Sequence, residues 1–413
     1  MSSDHSLPGS NAEGFSLSSR ATSPHKAEGL AALGITLVQG ERDGVYLSDL
    51  DGNRYVNCRS SGGVFNFGHR PRFAVDALHH ALDVAGDMGD WLIPSARRAR
   101  GAEALDAVLP GDLRYSFFTA SAAEAIEVAC KLARGVTGKK GFVAAENGYH
   151  GHVGFSLAML GAEYNRWFGP LVPGVVTVPF GDAVAVDRAV DDDTAAVCME
   201  TIPAAAGYLV PPDDFWPRVR AICDERGTLL ILDEVQAGLG RTGRVWACEN
   251  WGVVPDLLVT GKGLSGGVYP ISACCFGDRV DAFFAQDPIF HPSSYAGSEL
   301  GAAVVEAVIA ELSRPGFLDH VREMGDYLSD GFDDLCERYP SMLAGHHGLG
   351  LMRALDTHSE ALGAQLMFGA IANGVLAIFA NNRKQSLLVM PPLVVSASEV
   401  DEILTGLDRA LAS

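Results

Sequence analysis

Two short apolar runs end in side chains that do chemistry. Leu229-Leu230-Ile231-Leu232 stops at Asp233-Glu234, and Leu257-Leu258-Val259 stops at Thr260-Gly261-Lys262. Runs this short and this apolar read as strands buried on both faces. In open parallel sheets ligands gather beyond the carboxyl ends of the strands, so an aspartate and a lysine are expected to face one cleft. For an isolated pair the plain reading is a salt bridge between strand ends. The chemical reading is a lysine that forms a Schiff base with an aldehyde, beside a carboxylate that pairs with a protonated pyridine nitrogen. That is the pairing pyridoxal phosphate requires.

This pair is not isolated. Asp233-Glu234-Val235-Gln236-Ala237-Gly238-Leu239-Gly240-Arg241-Thr242-Gly243, followed by Thr260-Gly261-Lys262, resembles the signature of the class III (subgroup II) aminotransferases. These are fold-type I pyridoxal-phosphate enzymes. The resemblance implies an α/β fold, with a large domain around a mostly parallel seven-stranded sheet and a small α+β domain built from both chain ends. It makes Lys262 and Asp233 the catalytic pair. It also gives Gln236 a hydrogen bond to the cofactor ring oxygen and places Val235 against one ring face.

Other stretches extend the likeness. Phe117-Phe118-Thr119 leads into Ser121-Ala122-Ala123-Glu124, an S-x-x-E capping box before the helically spaced Ala125, Val128, Ala129 and Leu132. A helix N-terminus directly after a strand offers free amides to an anion, and related enzymes hold the cofactor phosphate here. Ser121, Ala122 and Ala123 are therefore cofactor candidates. Ala120, Ala122 and Ala123 replace the more usual Asn, Gly and Thr. Tyr149-His150-Gly151 resembles the ring-stacking motif, with Tyr149 on the ring face opposite Val235. Glu200 matches the acid at another strand end, although Thr201 replaces the usual Pro. His291-Pro292-Ser293-Ser294-Tyr295 resembles the segment whose hydroxyl reaches the phosphate of the partner subunit. Ser294 is the matching position, so the resemblance implies a homodimer with shared sites. Ser298-Glu299 stand where Asn-Pro is common. His150 and His152 have no third or fourth ligand at useful spacing, so no metal is expected.

The elements that must position these residues come from composition and turn chemistry. The 413 residues are 48% hydrophobic, enough for a large core. The formal charge of −20 and the absence of a basic stripe argue against a nucleic-acid partner. No uninterrupted apolar stretch reaches membrane length and no export pattern precedes the first charges. Cysteines 58, 130, 198, 223, 248, 274, 275 and 336 form no C-x-x-C and read as reduced, which makes the cytoplasm the expected location. Residues 1–27, rich in Ser, Gly and Asn, read as a flexible arm. Residues 28–60 carry hairpin signals at Asp43-Gly44 and Asp51-Gly52 and form the N-terminal part of the small domain. Residues 61–312 make the large domain, and 313–413 the C-terminal part of the small one. There Ser398 is the expected cap of a last helix through Val400, Ile403 and Leu407.

The substrate side departs from the family. Many members carry an Arg just before the Pro-Pro-Leu and a Glu five residues after the strand-end acid; here those positions are Leu388 and Ala205. The joint loss is coherent, because a buried Glu left without its Arg is costly. Arg59, Arg353 and Arg383 are the candidates to compensate. The favoured reading is an aminotransferase moving an amino group between an amine or ω-amino substrate and a carbonyl acceptor through a Lys262 Schiff base. The alternative is a same-fold isomerase, either an aminomutase or an amino-acid racemase/epimerase, with decarboxylation as a variant. A non-catalytic scaffold conflicts with intact Asp233, Gln236 and Lys262. A nicotinamide enzyme conflicts with the lack of a G-x-G-x-x-G between strand and helix near the start.

Overall fold

The hairpin signals near the start come out as a three-stranded antiparallel sheet in the computed structural model, which describes residues 7–413: β1 (Gln39–Asp43), β2 (Tyr46–Asp49) and β3 (Arg54–Val56). The stretch 1–27, expected as a flexible arm, is largely helical where it is described, with helices at Asn11–Ala21 and Pro24–Ala32; residues 1–6 lie outside the described residues. The Ser and Asn that read as loop residues act as caps and ties. Ser10 and Ser23 accept from the Glu13 and Lys26 amides, the ordinary use of serine at a helix start. Asn11 Nδ2 donates to Asp49 Oδ2 at 3.0 Å, and its Oδ1 accepts from the Val38 and Leu50 amides.

The central sheet has seven strands: β4 (Tyr115–Thr119), β5 (Gly141–Ala145), β6 (Val175–Val178), β7 (Thr194–Glu200), β8 (Leu229–Asp233), β9 (Leu257–Thr260) and β10 (Ser272–Phe276). Their order is β4-β10-β9-β8-β7-β5-β6, with only β10 antiparallel to its neighbours. Every residue of β7, β8, β9 and β10 is buried. That is why these runs are continuously apolar rather than alternating. Helix Ala122–Thr137 buries Ile126, Val128 and Leu132 in the core and stops at Gly138, whose φ of 71° suits glycine. Register sets the chemistry: Glu200 pairs with Asp233, Asp233 with Val259, and Ser272 with Thr119. The strand-end side chains thus share one edge.

The last sheet contains β11 (Leu343–Leu349), β12 (Met352–Thr357), β13 (Ile378–Ala380) and β14 (Arg383–Val389), all antiparallel in the order β11-β12-β14-β13. Helix Ala397–Ala412 is capped by Ser396, two residues before the expected Ser398. Glu399 at the third helical position returns the bond to the Ser396 amide, which Ser398 cannot set up from inside the helix. The two chain ends join in a small α+β domain. Val56 bridges Val375, and Tyr46 Oη donates to Glu402 Oε1 at 2.9 Å.

Arg241 ties the large sheet to the C-terminal sheet. Its side chain is fully buried. Nη1 donates to the Pro391 and Leu351 carbonyls at 2.5 and 3.1 Å, and Nη2 to Asn66 Oδ1 at 2.7 Å. None of these partners is a carboxylate, so the guanidinium is solvated by oxygens alone. Replacing Arg241 with Met leaves three buried acceptors without this donor. The expected loss is roughly 2–4 kcal/mol, read as a lower urea midpoint at unchanged slope. A shift worth under about 0.5 kcal/mol would show that the clasp does not hold the domains together.

Candidate active site

Strand geometry brings the predicted residues together at the carboxyl edge. Asp233 ends β8, Glu200 ends β7, and Lys262 follows β9 across Gly261. Lys262 itself has φ 43°, the left-handed region that a side chain resists and that folds tolerate at functional positions. Its Nζ donates to Gln236 Oε1 at 2.6 Å. Gln236 Nε2 in turn donates to Tyr208 Oη at 3.0 Å, and that hydroxyl lies 3.4 Å from Met390 Sδ. Tyr208 also has a positive φ, 60°, and is buried. Sequence reading missed it, because its role depends on a partner 28 residues away on another loop.

Both Asp233 oxygens are engaged. Oδ1 accepts from the Val235 amide at 3.0 Å, and Oδ2 accepts from His150 Nδ1 at 2.7 Å. The carboxylate is therefore fixed in orientation rather than free to pair with Lys262. His150 belongs to the triplet expected to stack on a ring. The structure places it behind Asp233 instead, as a donor with its side chain fully buried. Burial opposes charge on His150, yet Cys198 and the hydrogen bond and charge of Asp233 outweigh it and raise the pKa to about 9. Glu200 is pushed up by burial and by the Asp233 charge, while accepting the Tyr149 and Ala204 amides at 2.8 and 3.0 Å. The bond from the Tyr149 amide fixes the backbone that carries the ring. Lys262 is pushed below the ordinary lysine range, chiefly by burial, against the pull of Glu200 and Asp233. A lysine so shifted has more neutral amine available near neutral pH.

The helix expected after β4 starts at Ala122, directly beyond the Ser121 cap. Ser121 Oγ accepts the Glu124 amide at 3.3 Å, a capping bond that leaves its O–H able to donate. The Glu124 carboxylate takes the Ala120 amide at 2.9 Å rather than closing the box on Ser121. First-turn amides have no intrahelical acceptor, which leaves those of Ala122 and Ala123. A hydrogen bond from His291 pulls Glu124 down to about 2, with Ser293 and the Ala120 amide adding to it. This anchors the 291–295 segment beside the same helix. Ser294 itself is exposed.

A cavity of about 360 Å³ opens here, lined among others by Val64, Ala120, Ala122, Val235, Lys262 and Ser272. A methyl group on Gly62 would lie 3.1 Å from Lys262 Nζ, so glycine keeps the amine accessible. The residues match what pyridoxal phosphate needs: free amides for a phosphate, a fixed carboxylate, an apolar wall and a desolvated lysine amine. Two departures also gain a local reason. The Thr201 hydroxyl donates to buried Glu234 at 2.7 Å, which a proline could not. The Glu299 amide donates to the Met88 carbonyl at 2.9 Å, again closed to proline.

The chain belongs to the class-III aminotransferases. A model of that family, Aminotransferase class-III, matches residues 31–411. An uncharacterized aminotransferase of Archaeoglobus fulgidus is 47% identical over 393 residues, covering 95% of this chain and 92% of that one. A putrescine aminotransferase of Pectobacterium atrosepticum is 34% identical over 368 residues, covering 87% and 78%. The structure of an amine transaminase from an uncultivated Pseudomonas species, with pyridoxal phosphate bound, superposes with a TM-score of 0.84 at 26% identity over 95% of this chain and 96% of that one. Ornithine aminotransferase of Toxoplasma gondii shares the fold at a TM-score of 0.90 and 24% identity, covering 99% and 96%. This class-III chain is thus a pyridoxal-phosphate-dependent aminotransferase of fold type I. Among the described residues no helix is long and apolar enough to cross a membrane.

The His150–Asp233 pair makes a pH prediction. The folded pKa lies above the ordinary histidine value near 6.5, so its contribution is complete below about pH 6.5 and is lost as pH rises through about 9. Urea unfolding of the cofactor-free protein at pH 6 and at pH 9.5 is expected to show a loss on the order of 2–3 kcal/mol from this pair. The loss should be absent in His150→Gln. An identical pH dependence in both proteins would remove the pair from the account.

Proposed function

We propose that Lys262 is the residue that would hold the cofactor aldehyde, and that its free amine is the base that would take the proton from the substrate carbon. The observation that carries this reading is the Lys262 amine itself. It is desolvated, held 2.6 Å from Gln236, and influenced by both Asp233 and Glu200 without a direct bond to either. Bound there, pyridoxal phosphate supplies an aldehyde that exchanges amines and a ring that accepts electrons. Asp233, oriented by Val235 and His150, would pair with the ring nitrogen of the bound cofactor, and Gln236 would donate to its ring oxygen. The amides of Ala122 and Ala123, next to Ser121, would hold its phosphate. Tyr149 and Val235 would bracket its ring, and Glu200 fixes the loop that carries Tyr149.

The substrate wall is apolar where many relatives carry a charged pair. Leu388 packs with Ile202, Ala204, Tyr208, Met352 and Met390, and Ala205 is buried beside them. Together with the named putrescine and amine transaminases, this favours an amine or ω-amino donor. The half-reaction tests it. Purified holoenzyme is mixed with alanine, glutamate, ornithine, putrescine or aromatic amines while the visible spectrum is followed. A donor should convert the cofactor to its pyridoxamine form, and Lys262→Ala should slow the conversion by at least about 10³-fold. A variant within about tenfold of the parent would contradict the assignment.

The reading extends to a homodimer in which Ser294 of the partner subunit completes the phosphate site. Segments 91–98 and 288–297 lie side by side, joined by Arg98 Nε to the Gly297 carbonyl at 2.6 Å. They expose Leu92, Ile93, Ile289 and Tyr295, of which Leu92 and Ile289 line a cavity of about 420 Å³. Such a cluster fits a subunit contact. Light scattering should return twice the chain mass of 43.6 kDa; a monomer that retains cofactor would contradict a shared site. The eight unpaired cysteines fit a reducing compartment and a cytoplasmic location. The proposed domain boundaries lie near residues 28, 60 and 312.

A further inference from the structure

Removal of the Arg–Glu gate leaves open how a carboxylate-bearing partner is recognised, and three arginines were candidates. The structure eliminates two. Arg383 Nη2 is paired with Asp356 Oδ2 at 2.8 Å. Arg353 donates to the Gly350 and Gly348 carbonyls at 3.0 and 3.3 Å. Arg383 thus has its counter-charge, and Arg353 is engaged with backbone carbonyls. Arg59 is different. Its side chain is exposed and, among the described residues, has neither an acidic partner nor a hydrogen bond.

Its backbone is pinned at the site. The Met390 amide donates to the Cys58 carbonyl at 2.8 Å, and Ser60 Oγ donates to the Met390 carbonyl at 2.8 Å. Residues 58–60 therefore run alongside the chain two residues beyond Leu388, the slot vacated by the family arginine. On the other side, the Gly62 amide donates to the Arg59 carbonyl at 2.9 Å, and Gly62 abuts Lys262 Nζ. Ser60 and Ser61 hold φ of 43° and 49° in this turn, a costly conformation that persists only where the surroundings fix it. Burial is the largest influence on the Lys262 amine and on the Tyr208 phenol, yet the Arg59 charge acts on both, favouring loss of the proton. An unpaired guanidinium is thus within electrostatic reach of the reacting amine and rooted beside the apolar wall.

We propose that Arg59 binds the carboxylate of the oxo-acid acceptor, and of the amino acid it becomes, replacing the arginine absent at Leu388. The guanidinium offers a bidentate fork. Its root on an exposed turn leaves it free to swing aside when the amine donor, with no carboxylate, occupies the apolar wall. This rests on the aminotransferase reading above and specifies how that site selects its second substrate.

Two measurements on holoenzyme separate the claims. In the first, pentanoate is titrated and its binding read from the cofactor absorption band, for parent, Arg59→Met and Arg59→Lys. The dissociation constant should rise by about 10–100-fold in Arg59→Met, with partial recovery in Arg59→Lys. Equal binding by the parent and Arg59→Met, or no pentanoate binding by the parent, overturns the proposal. In the second, the pyridoxamine form reacts with pyruvate, 2-oxoglutarate or butanal. The ratio of kcat/KM for the oxo acids to that for butanal should fall by a similar factor in Arg59→Met, through KM rather than kcat. A fall shared equally by butanal would mark a general structural role and overturn it. If no acceptor reacts with the parent, the aminotransferase reading fails, while the pentanoate titration still decides whether Arg59 is a carboxylate site.

Discussion

Burying an ionisable side chain costs several kcal/mol unless hydrogen bonds or an opposite charge replace the lost water, and the carboxyl edge of this sheet buries several at once. Asp233, Glu200, Glu234 and His150 all lie within a few per cent of full burial. Each is compensated in its own way. Asp233 has His150 and the Val235 amide. Glu200 has two backbone amides. Glu234, pushed up to about 7 by burial, has the Thr201 hydroxyl and the Ala247 and Cys248 amides. Lys262 is left with a neutral amide oxygen as its only bonded partner among the described residues. The acids are satisfied before the lysine is reached, and that keeps the amine available for chemistry.

The fold supplies this arrangement through register and through a few strained turns. β7, β8 and β9 end level with one another, so a shift of one residue would carry Glu200 or Asp233 to the opposite face. Positive φ at Ser60, Ser61, Tyr208 and Lys262 concentrates backbone strain around the amine. Such strain persists only where the surroundings over-determine it. Arg241 provides part of that surrounding rigidity, because it holds Asn66, Leu351 and Pro391 in one cluster.

Much of this was legible in the chain. The two apolar runs with acid and lysine at their ends announce β8 and β9. Continuous burial without alternation announces a parallel sheet. The motif around Asp233 and Lys262 singles out both residues, and the fold brings them to one sheet edge. What stayed hidden is non-local. Nothing near His150 in sequence says that it backs Asp233, 83 residues away. Nothing near Tyr208 says that it holds Gln236. Residues 1–27 read as a flexible arm, yet helices occupy Asn11–Ala21 and begin again at Pro24, because Ser and Asn at caps have the same composition as Ser and Asn in loops. Nothing near Ser298-Glu299 in sequence shows that the Met88 carbonyl accepts the Glu299 amide, a bond closed to the usual proline.

Lys262 is the residue proposed to be joined to the cofactor. Borohydride reduction of the holoenzyme, followed by digestion and peptide mass spectrometry, fixes the adduct covalently and locates it. The account predicts one phosphopyridoxyl adduct, on the peptide containing Thr260-Gly261-Lys262. An adduct on any other lysine, or a reduced protein carrying none, would contradict it.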